Sequence, residues 1–407
     1  MPLLVLGRAG AAASLRRCLV SRRSAHRASV PTEMSAWQIH RYGGPEELQL
    51  TTSHRLPTIT QPTELLIKVH AASINPIDVA MLGGYGSTTM NLMRQLCGTL
   101  EFPLTLGRDV SGEVVAVGGG VSQFRPGDQV WAAVGPQRQG THAEYVAAAA
   151  GSVSLKPRSL SHVEAASIPY VAATAWSALV VTGELVSEGT RRDRRVLVCG
   201  AAGGVGSLAV QLLKAWGCQV TATCATDAVE LVESLGADVV VDYTAPDADE
   251  HLKLMQGYDL ILDCSGGHGE RHIPLMKPWT YAKYVTLSPP LLKNIDADGL
   301  VAGGVRNLAE LVQSNISSHT QGRSHRWAFF MPNGCALSQV RDLVDDGKIR
   351  PVVQRVVPFE LVPDAFVQLQ GGHSRGKTVI RVVDEPPAPS EPPETDTGAP
   401  SSDRSGA

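Results

Sequence analysis

The hydrophobic and polar positions change their period twice along the chain. Residues 65–71 (Leu-Leu-Ile-Lys-Val-His-Ala), 112–118 and 124–131 are short apolar runs of strand length, broken by glycines and by the Pro126-Gly127-Asp128 turn. Short strands between such turns read as a small barrel or sandwich. From about residue 170 the pattern changes to alternating helix and strand. An alanine-rich helical stretch at 171–185 precedes a compact strand at 195–199. A helix at 205–216 then carries Val205, Leu208, Ala209, Leu212 and Leu213 on one face, and strands at 220–224, 238–242 and 260–263 and a helix at 229–235 follow. This alternation over short links predicts an α/β unit, a doubly wound parallel sheet with helices on both faces. Residues 331–383 return to the earlier style, with an amphipathic helix at 336–346 and strands at 349–353 and 378–382. The α/β unit, residues 170–330, is thus read as an insertion between residues 35–169 and 331–383, two pieces of one β-rich domain.

Both ends depart from these patterns. The first 34 residues hold Arg8, Arg16, Arg17, Arg22, Arg23 and Arg27, with no acidic residue before Glu33. A stretch rich in arginine, containing serine and poor in acid is the composition of a mitochondrial presequence. Residues 384–407 are dense in proline, serine and acid and cannot bury enough apolar surface to order themselves, so they read as a disordered tail. The net charge of −3 leaves no basic excess for a nucleic-acid partner. No uninterrupted apolar run approaches the roughly 18 residues of a spanning helix, so no transmembrane segment is expected. The seven cysteines form no CxxC pair, which argues against a disulfide framework and against a cysteine-built metal site.

The sharpest motif is Cys199-Gly200-Ala201-Ala202-Gly203-Gly204-Val205-Gly206, placed after a strand and at the start of a helix. Small residues there let the backbone turn tightly and approach a pyrophosphate, and the helix N-terminus offers N–H groups and partial positive charge. With strand before and helix after, the motif reads as a Rossmann dinucleotide site. Sites that prefer NAD usually place a carboxylate at the end of the second strand. That position falls near Thr223 and the first carboxylate is Asp227. The cofactor expected is therefore NADPH, although no lysine or arginine follows closely to hold its 2′-phosphate.

Here the chain resembles the zinc-free quinone-oxidoreductase branch of the medium-chain dehydrogenase/reductases. The resemblance covers residues 35–383. It rests on residues 68–78 (Lys-Val-His-Ala-Ala-Ser-Ile-Asn-Pro-Ile-Asp), on Gly107-Arg108-Asp109-Val110-Ser111-Gly112, on the 201–206 loop and on Gly376-Lys377-Thr378-Val379. Residues 102–109, 326–331 and 373–377 carry a narrower match, to a mitochondrial member of the branch. The resemblance implies a Rossmann domain inserted into a GroES-like β-barrel domain. It implies NADPH contacts at Ala202, Gly203, Gly204, Val205, Gly206, Ala225, Tyr243, Leu287, Phe330, His373, Ser374 and Arg375. Ala202 and Ala225 stand where the match has serines, so two hydroxyl donors are lost. It also implies a small-molecule quinone or enone as substrate, with a ubiquinone-type molecule or its precursor, and hence ubiquinone biosynthesis, among the options. A protein partner of reticulon type is implied too, and a homodimer is left open.

Zinc-dependent relatives place a Cys and a His in the segments that here hold Asn75 and Arg108, neither a usual zinc ligand, so no metal is expected. A conjugated acceptor needs only a hydrogen-bond donor at its carbonyl oxygen, because hydride adds to an already electron-poor carbon. The candidate catalytic donors are Asn75, Tyr85 and Arg108. Two alternatives stay open: an NADPH-binding partner protein with little turnover, and an enoyl-thioester reductase.

Overall fold

The computed structural model describes residues 31–372 and 374–384. The presequence reading, apart from its last residues, lies outside the described residues, as do His373 and the tail beyond Asp384.

Six strands form one wholly parallel sheet, in the spatial order Val239–Asp242, Gln219–Cys224, Arg195–Cys199, Leu260–Asp263, Ala282–Thr286, Arg323–Trp327. Counted along the chain this is 3-2-1-4-5-6, the doubly wound Rossmann order. A ligand crevice belongs outside the carboxyl ends of strands one and four, where that order reverses. Arg195–Cys199 shows why the sequence reads as an unbroken apolar run. Val196 and Val198 feed the core on one face, Leu197 and Cys199 the core on the other, as a strand covered on both sides must. The helix Gly204–Ala215 buries Leu208, Ala209, Leu212 and Leu213, the face expected from its spacing. Each of these buried leucines contributes about 1.5–3 kcal/mol.

The β-rich half is a sheet in the order Val353–Pro358, Lys377–Arg381, Glu64–Ile74, Asp109–Val117, Gln129–Ala133, Val153–Leu155, with Tyr145–Ala149 also paired to Glu64–Ile74. A smaller sheet joins Gln49–Arg55, Glu33–Ile39 and Leu104–Thr105. The last strand lies antiparallel to Glu64–Ile74, with Thr378 opposite Ile74. The end of the described chain therefore completes a sheet begun before the parallel one.

Several elements differ from the sequence reading. The strand expected at 349–353 forms at Val353–Pro358 instead. Pro351 has no N–H for a ladder, and the Arg350 N–H donates to Gln211 Oε1 at 2.8 Å. The helix expected from residue 336 starts at Gly334, where Asn333 Oδ1 caps the Ala336 N–H at 3.0 Å. Several helices were not foreseen, among them Pro76–Leu82, Ala248–Leu254, Val362–Gln370 and two that matter here. One is Ser87–Leu96; the other is Leu291–His319, broken at Gly299 with φ 81°. In the second, Val301, Val305, Leu308, Val312 and Ile316 recur at helical spacing but face solvent. The stretch His162–Thr182 is long and apolar enough to cross a membrane, against expectation, yet 83% of its apolar window is buried inside the fold as a core segment.

Candidate functional site

The crevice is where both halves meet. A cavity of about 680 Å³ is lined by Asn75, Tyr85 and Lys377 from the β-rich half and by Gly203–Gly206, Cys264 and Leu287 from the α/β half. A second cavity of about 690 Å³, lined by Ala225, Tyr243 and Arg375, shares Gly203, Cys264 and Ser374 with it. Together they make one elongated cleft over the carboxyl ends of the parallel strands. The halves touch directly there: Gly203 bridges Gly376, whose N–H donates to Ala202 O at 3.1 Å.

The dinucleotide loop is built as its residues require. Gly200 has φ +76°, a left-handed conformation that glycine adopts freely. A Cβ on Gly206 would stand 2.3 Å from Gly200 O, and one on Gly204 would stand 3.1 Å from Lys377 Cδ and 3.2 Å from Val171 Cγ1. Bare backbone is therefore exposed at the first turn of the helix Gly204–Ala215, where free N–H groups favour a pyrophosphate. These residues fit a dinucleotide.

At the other end of the cleft three strand ends converge. Ser73 lies opposite Asp109 and Ile74 opposite Thr378, so Asn75, Asp109 and Lys377 meet. Lys377 Nζ donates to Asp109 Oδ2 at 3.1 Å, to Ile74 O at 3.3 Å, and to Asn75 Oδ1. Asn75 Nδ2 donates to the same Asp109 Oδ2 at 2.8 Å. Asp109 also accepts Ser73 Oγ–H at 2.5 Å and, through Oδ1, the Tyr170 N–H at 2.5 Å. The amide of Asn75 is thus fixed, oxygen to the ammonium and nitrogen to the carboxylate, leaving one of its two N–H groups.

Two phenols flank this cluster. Tyr170 lines the cleft from the helix Pro169–Trp176. Burial first, then Asp78 and Asp109, push its pKa up. Tyr85 sits between Gly84 and Gly86, both at positive φ, and burial, then Asp296, raise its pKa as well. Both stay protonated and can donate. The glycines flanking Tyr85 suggest mobility, but the segment is anchored: Asp296 accepts the Gly86 N–H at 2.5 Å and the Thr88 N–H at 3.1 Å.

The structure does not bring every expected residue here. Arg108 is wholly buried away from the cleft. Its Nε lies 3.5 Å from Asp78 Oδ1, and its other nitrogens donate to the carbonyls of Gly135, Arg138 and Thr105. It holds loops together and cannot reach an acceptor. Phe330 stacks on Tyr170, with centroids 4.3 Å apart, and lines an apolar cavity adjoining the cleft rather than either part of the main cleft. Lys377, Tyr170 and Asp109 were missed as site residues. Lys377 had a signal: in Lys-Thr-Val-Ile-Arg it shares the buried strand face with Val379, and a lysine on an inward face is rarely idle.

Arg375 sits at the far end of the cleft, with Nη2 2.7 Å from Asp227 Oδ1 and Nε 3.2 Å from Oδ2. The first carboxylate after the second strand in sequence is thus already paired, by a cation 148 residues away in sequence. The thiols around the cleft are held protonated at neutral pH: burial pushes Cys199 up to about 12 and Cys224 up to about 11.

Zinc does not suit this donor set. The oxygens that Asn75 and Asp109 present are taken by an ammonium, and among the described residues no three His, Cys, Asp or Glu side chains cluster as a metal site.

An alcohol dehydrogenase GroES-like domain model matches residues 61–158, and a zinc-binding dehydrogenase model matches residues 235–380. With the inserted Rossmann sheet and the glycine loop facing the β-rich half, the chain belongs to the medium-chain dehydrogenase/reductases. A Mus musculus relative, 50% identical over 358 residues (86% of this chain, 90% of the relative), is named NAD(P)H oxidoreductase RTN4IP1, mitochondrial. A Caenorhabditis elegans relative, 39% identical over 354 residues (86% and 95%), is named Reticulon-4-interacting protein 1, mitochondrial. Among solved structures, a quinone oxidoreductase from Coxiella burnetii aligns with TM-score 0.69 and 29% identity, covering 86% of this chain and 99% of its own.

Proposed function

We propose that this chain is a mitochondrial, NADPH-dependent reductase that delivers hydride to a quinone or an α,β-unsaturated carbonyl without a metal. The observation that carries the reading is the single cleft that joins a bare glycine loop at a helix N-terminus to the Asn75–Lys377–Asp109 cluster and two protonated tyrosines. Bound nicotinamide would supply the hydride. The chain's own residues handle the charge that develops on the acceptor oxygen. Asn75 offers its remaining N–H, oriented by Lys377 and Asp109. Tyr85 and Tyr170 offer hydroxyl protons, and Lys377 adds positive charge nearby. Arg375 and Tyr243, at the opposite end, suit the 2′-phosphate that distinguishes NADPH. Location rests on the arginine-rich first 34 residues and on the mitochondrial names of the relatives.

The test is NADPH and NADH oxidation by the purified protein against a panel of quinones, enones and enoyl thioesters, alongside Asn75→Ala and Tyr85→Phe. Losing one aimed donor can cost on the order of 10²-fold in turnover, and a reactive quinone is expected near tenfold, with NADPH affinity kept. If the protein binds NADPH tightly and reduces nothing on the panel, the reading gives way to a cofactor-bound partner protein. The name of the Caenorhabditis elegans relative favours that second reading.

A further inference from the structure

We infer that Arg271 supplies a second cation to the cofactor's 2′-phosphate, reaching it from the segment after the fourth parallel strand. The inference deepens the NADPH reading and rests on it. The cavity of about 690 Å³ at the Arg375 end of the cleft is also lined by His268, Arg271 and His272, and no carboxylate lines it. The glycine loop and the helix behind it already serve a pyrophosphate. Adenosine itself is uncharged, so two guanidiniums at its end of the cleft call for a further anion. A phosphate monoester carries about −1.5 to −2 near pH 7. No lysine or arginine follows the second strand closely in sequence. The cations of this pocket come instead from far along the chain, Arg375 from just before the strand Lys377–Arg381 and Arg271 from the 3-10 segment His268–Leu275.

The head of Arg271 is both aimed and available. Its Nη2 lies 3.6 Å from Asp249 Oδ1, in the helix Ala248–Leu254 that follows the third strand. In the order 3-2-1-4, a side chain that leaves the fourth strand's segment and meets that helix points toward the ends of strands two and three. Tyr243 and Arg375 stand there. Arg271 Nε donates to His272 Nε2 at 3.3 Å. Burial, then the Arg271 charge, lower the His272 pKa, so that ring is neutral and can accept. The Asp249 pair is too long for a hydrogen bond, and its side chains are 56% and 55% exposed, so it is weak. Arg375 is held more tightly, by two contacts to Asp227 at 2.7 and 3.2 Å. Among the described residues neither Nη of Arg271 makes a hydrogen bond. Arg271 therefore has the freer donors of the two, in the fork geometry that suits a phosphate.

The experiment measures binding rather than turnover: Kd for NADPH and NADH by cofactor fluorescence on the purified protein, and for 2′,5′-ADP and 5′-AMP by calorimetry. Arg271→Met removes the charge and keeps most of the stem. It should raise Kd for NADPH and for 2′,5′-ADP about tenfold. NADH and 5′-AMP, which have no 2′-phosphate, should change by less than about twofold. Asp249→Asn should release the guanidinium and tighten NADPH by about twofold, whereas a pair that only braces the pocket would loosen it. Equal losses for NADPH and NADH in Arg271→Met would put the residue on the pyrophosphate or in the framework and overturn the inference. So would weaker NADPH binding in Asp249→Asn. A parent that prefers NADPH, with a variant that keeps the whole preference, refutes the role of Arg271 and leaves the NADPH reading standing. A parent that binds both cofactors alike takes both down.

Discussion

Lys377 and Asp109, 268 residues apart in sequence, form a buried ion pair at 3.1 Å on the floor of the cleft, and both hold the same amide of Asn75. The carboxylate accepts from Ser73, Asn75, Lys377 and the Tyr170 backbone, so its desolvation is fully compensated. Removing one partner of such a pair strands the other.

Lys377→Met keeps the side-chain stem that packs near Gly204 and removes the charge. Losing one member of a buried pair costs about 3–5 kcal/mol of stability. Melting of the variant should drop accordingly, and the Lys377→Met/Asp109→Asn double variant should recover part of the loss. Quinone turnover should stay low in both, because neither holds the Asn75 amide in place. A double variant that regains full turnover would show that the pair acts on stability alone.

Gly206→Ala would force a Cβ to within 2.3 Å of Gly200 O, and the loop must open to accept it. Gly204→Asp would add a negative charge where a pyrophosphate approaches. Both should lose NADPH binding with the far-UV spectrum retained. Undiminished affinity, measured by quenching or calorimetry, would remove this loop from the cofactor site.

Arg375→Ala tests cofactor choice. A charge-assisted contact is worth about 1.5–3 kcal/mol. Asp227 already shares Arg375, so the rise in KM for NADPH should be near the lower end, about tenfold. KM for NADH should stay within about twofold, since NADH has no 2′-phosphate to lose a partner. Equal losses for both cofactors would mean that Arg375 only shapes the loop.

Acid should unfold the protein early. His162 is buried, packs against His70 with ring centroids 4.3 Å apart, and bonds Ser111 Oγ at 2.8 Å and Gln129 Oε1 at 2.6 Å. Burial, then His70 and Lys156, lower its pKa from 6.5 to about 3. The unfolded chain therefore takes up a proton below about pH 6.5 that the folded chain refuses until about pH 3, so stability is full above that window and falls through it. His142, His272 and His325 shift in the same direction, each first by burial. Urea midpoints should decline from pH 6.5 downward, and His162→Gln should make the decline shallower by about one proton. An unchanged slope in the variant would exclude His162 as a contributor.

What the sequence made legible was local. Arg195–Cys199 and Gly204–Ala215 carry their own periodicity, and the glycine loop lies between them in a single stretch. The helix Ser87–Leu96 escaped because its face meets Leu291–His319, about two hundred residues later. That long helix escaped because it turns its regular apolar positions outward and breaks at Gly299. Arg108 misled because its neighbours in sequence lie near the cleft while its guanidinium points into a nest of carbonyls. Lys377 was missed as a site residue, and the pairing of Arg375 with Asp227 was not foreseen, for one reason: each acts on groups that are distant in sequence, which no short motif records.

The strand Lys377–Arg381 sits inside the β-rich sheet, between Val353–Pro358 and Glu64–Ile74. This has a consequence for the order in which the molecule is made. All six parallel strands, Arg195 to Trp327, exist before this strand emerges, and they can pair among themselves at short sequence separation. The β-rich half cannot close its sheet until some three hundred residues after it was begun, and Asp109 meets no cation on the cleft floor before then. A ribosome stalled, or a chain truncated, anywhere short of residue 377 would leave a dinucleotide fold able to form beside a sheet with an open seam. The strand Lys377–Arg381 therefore decides whether the chain becomes a catalyst.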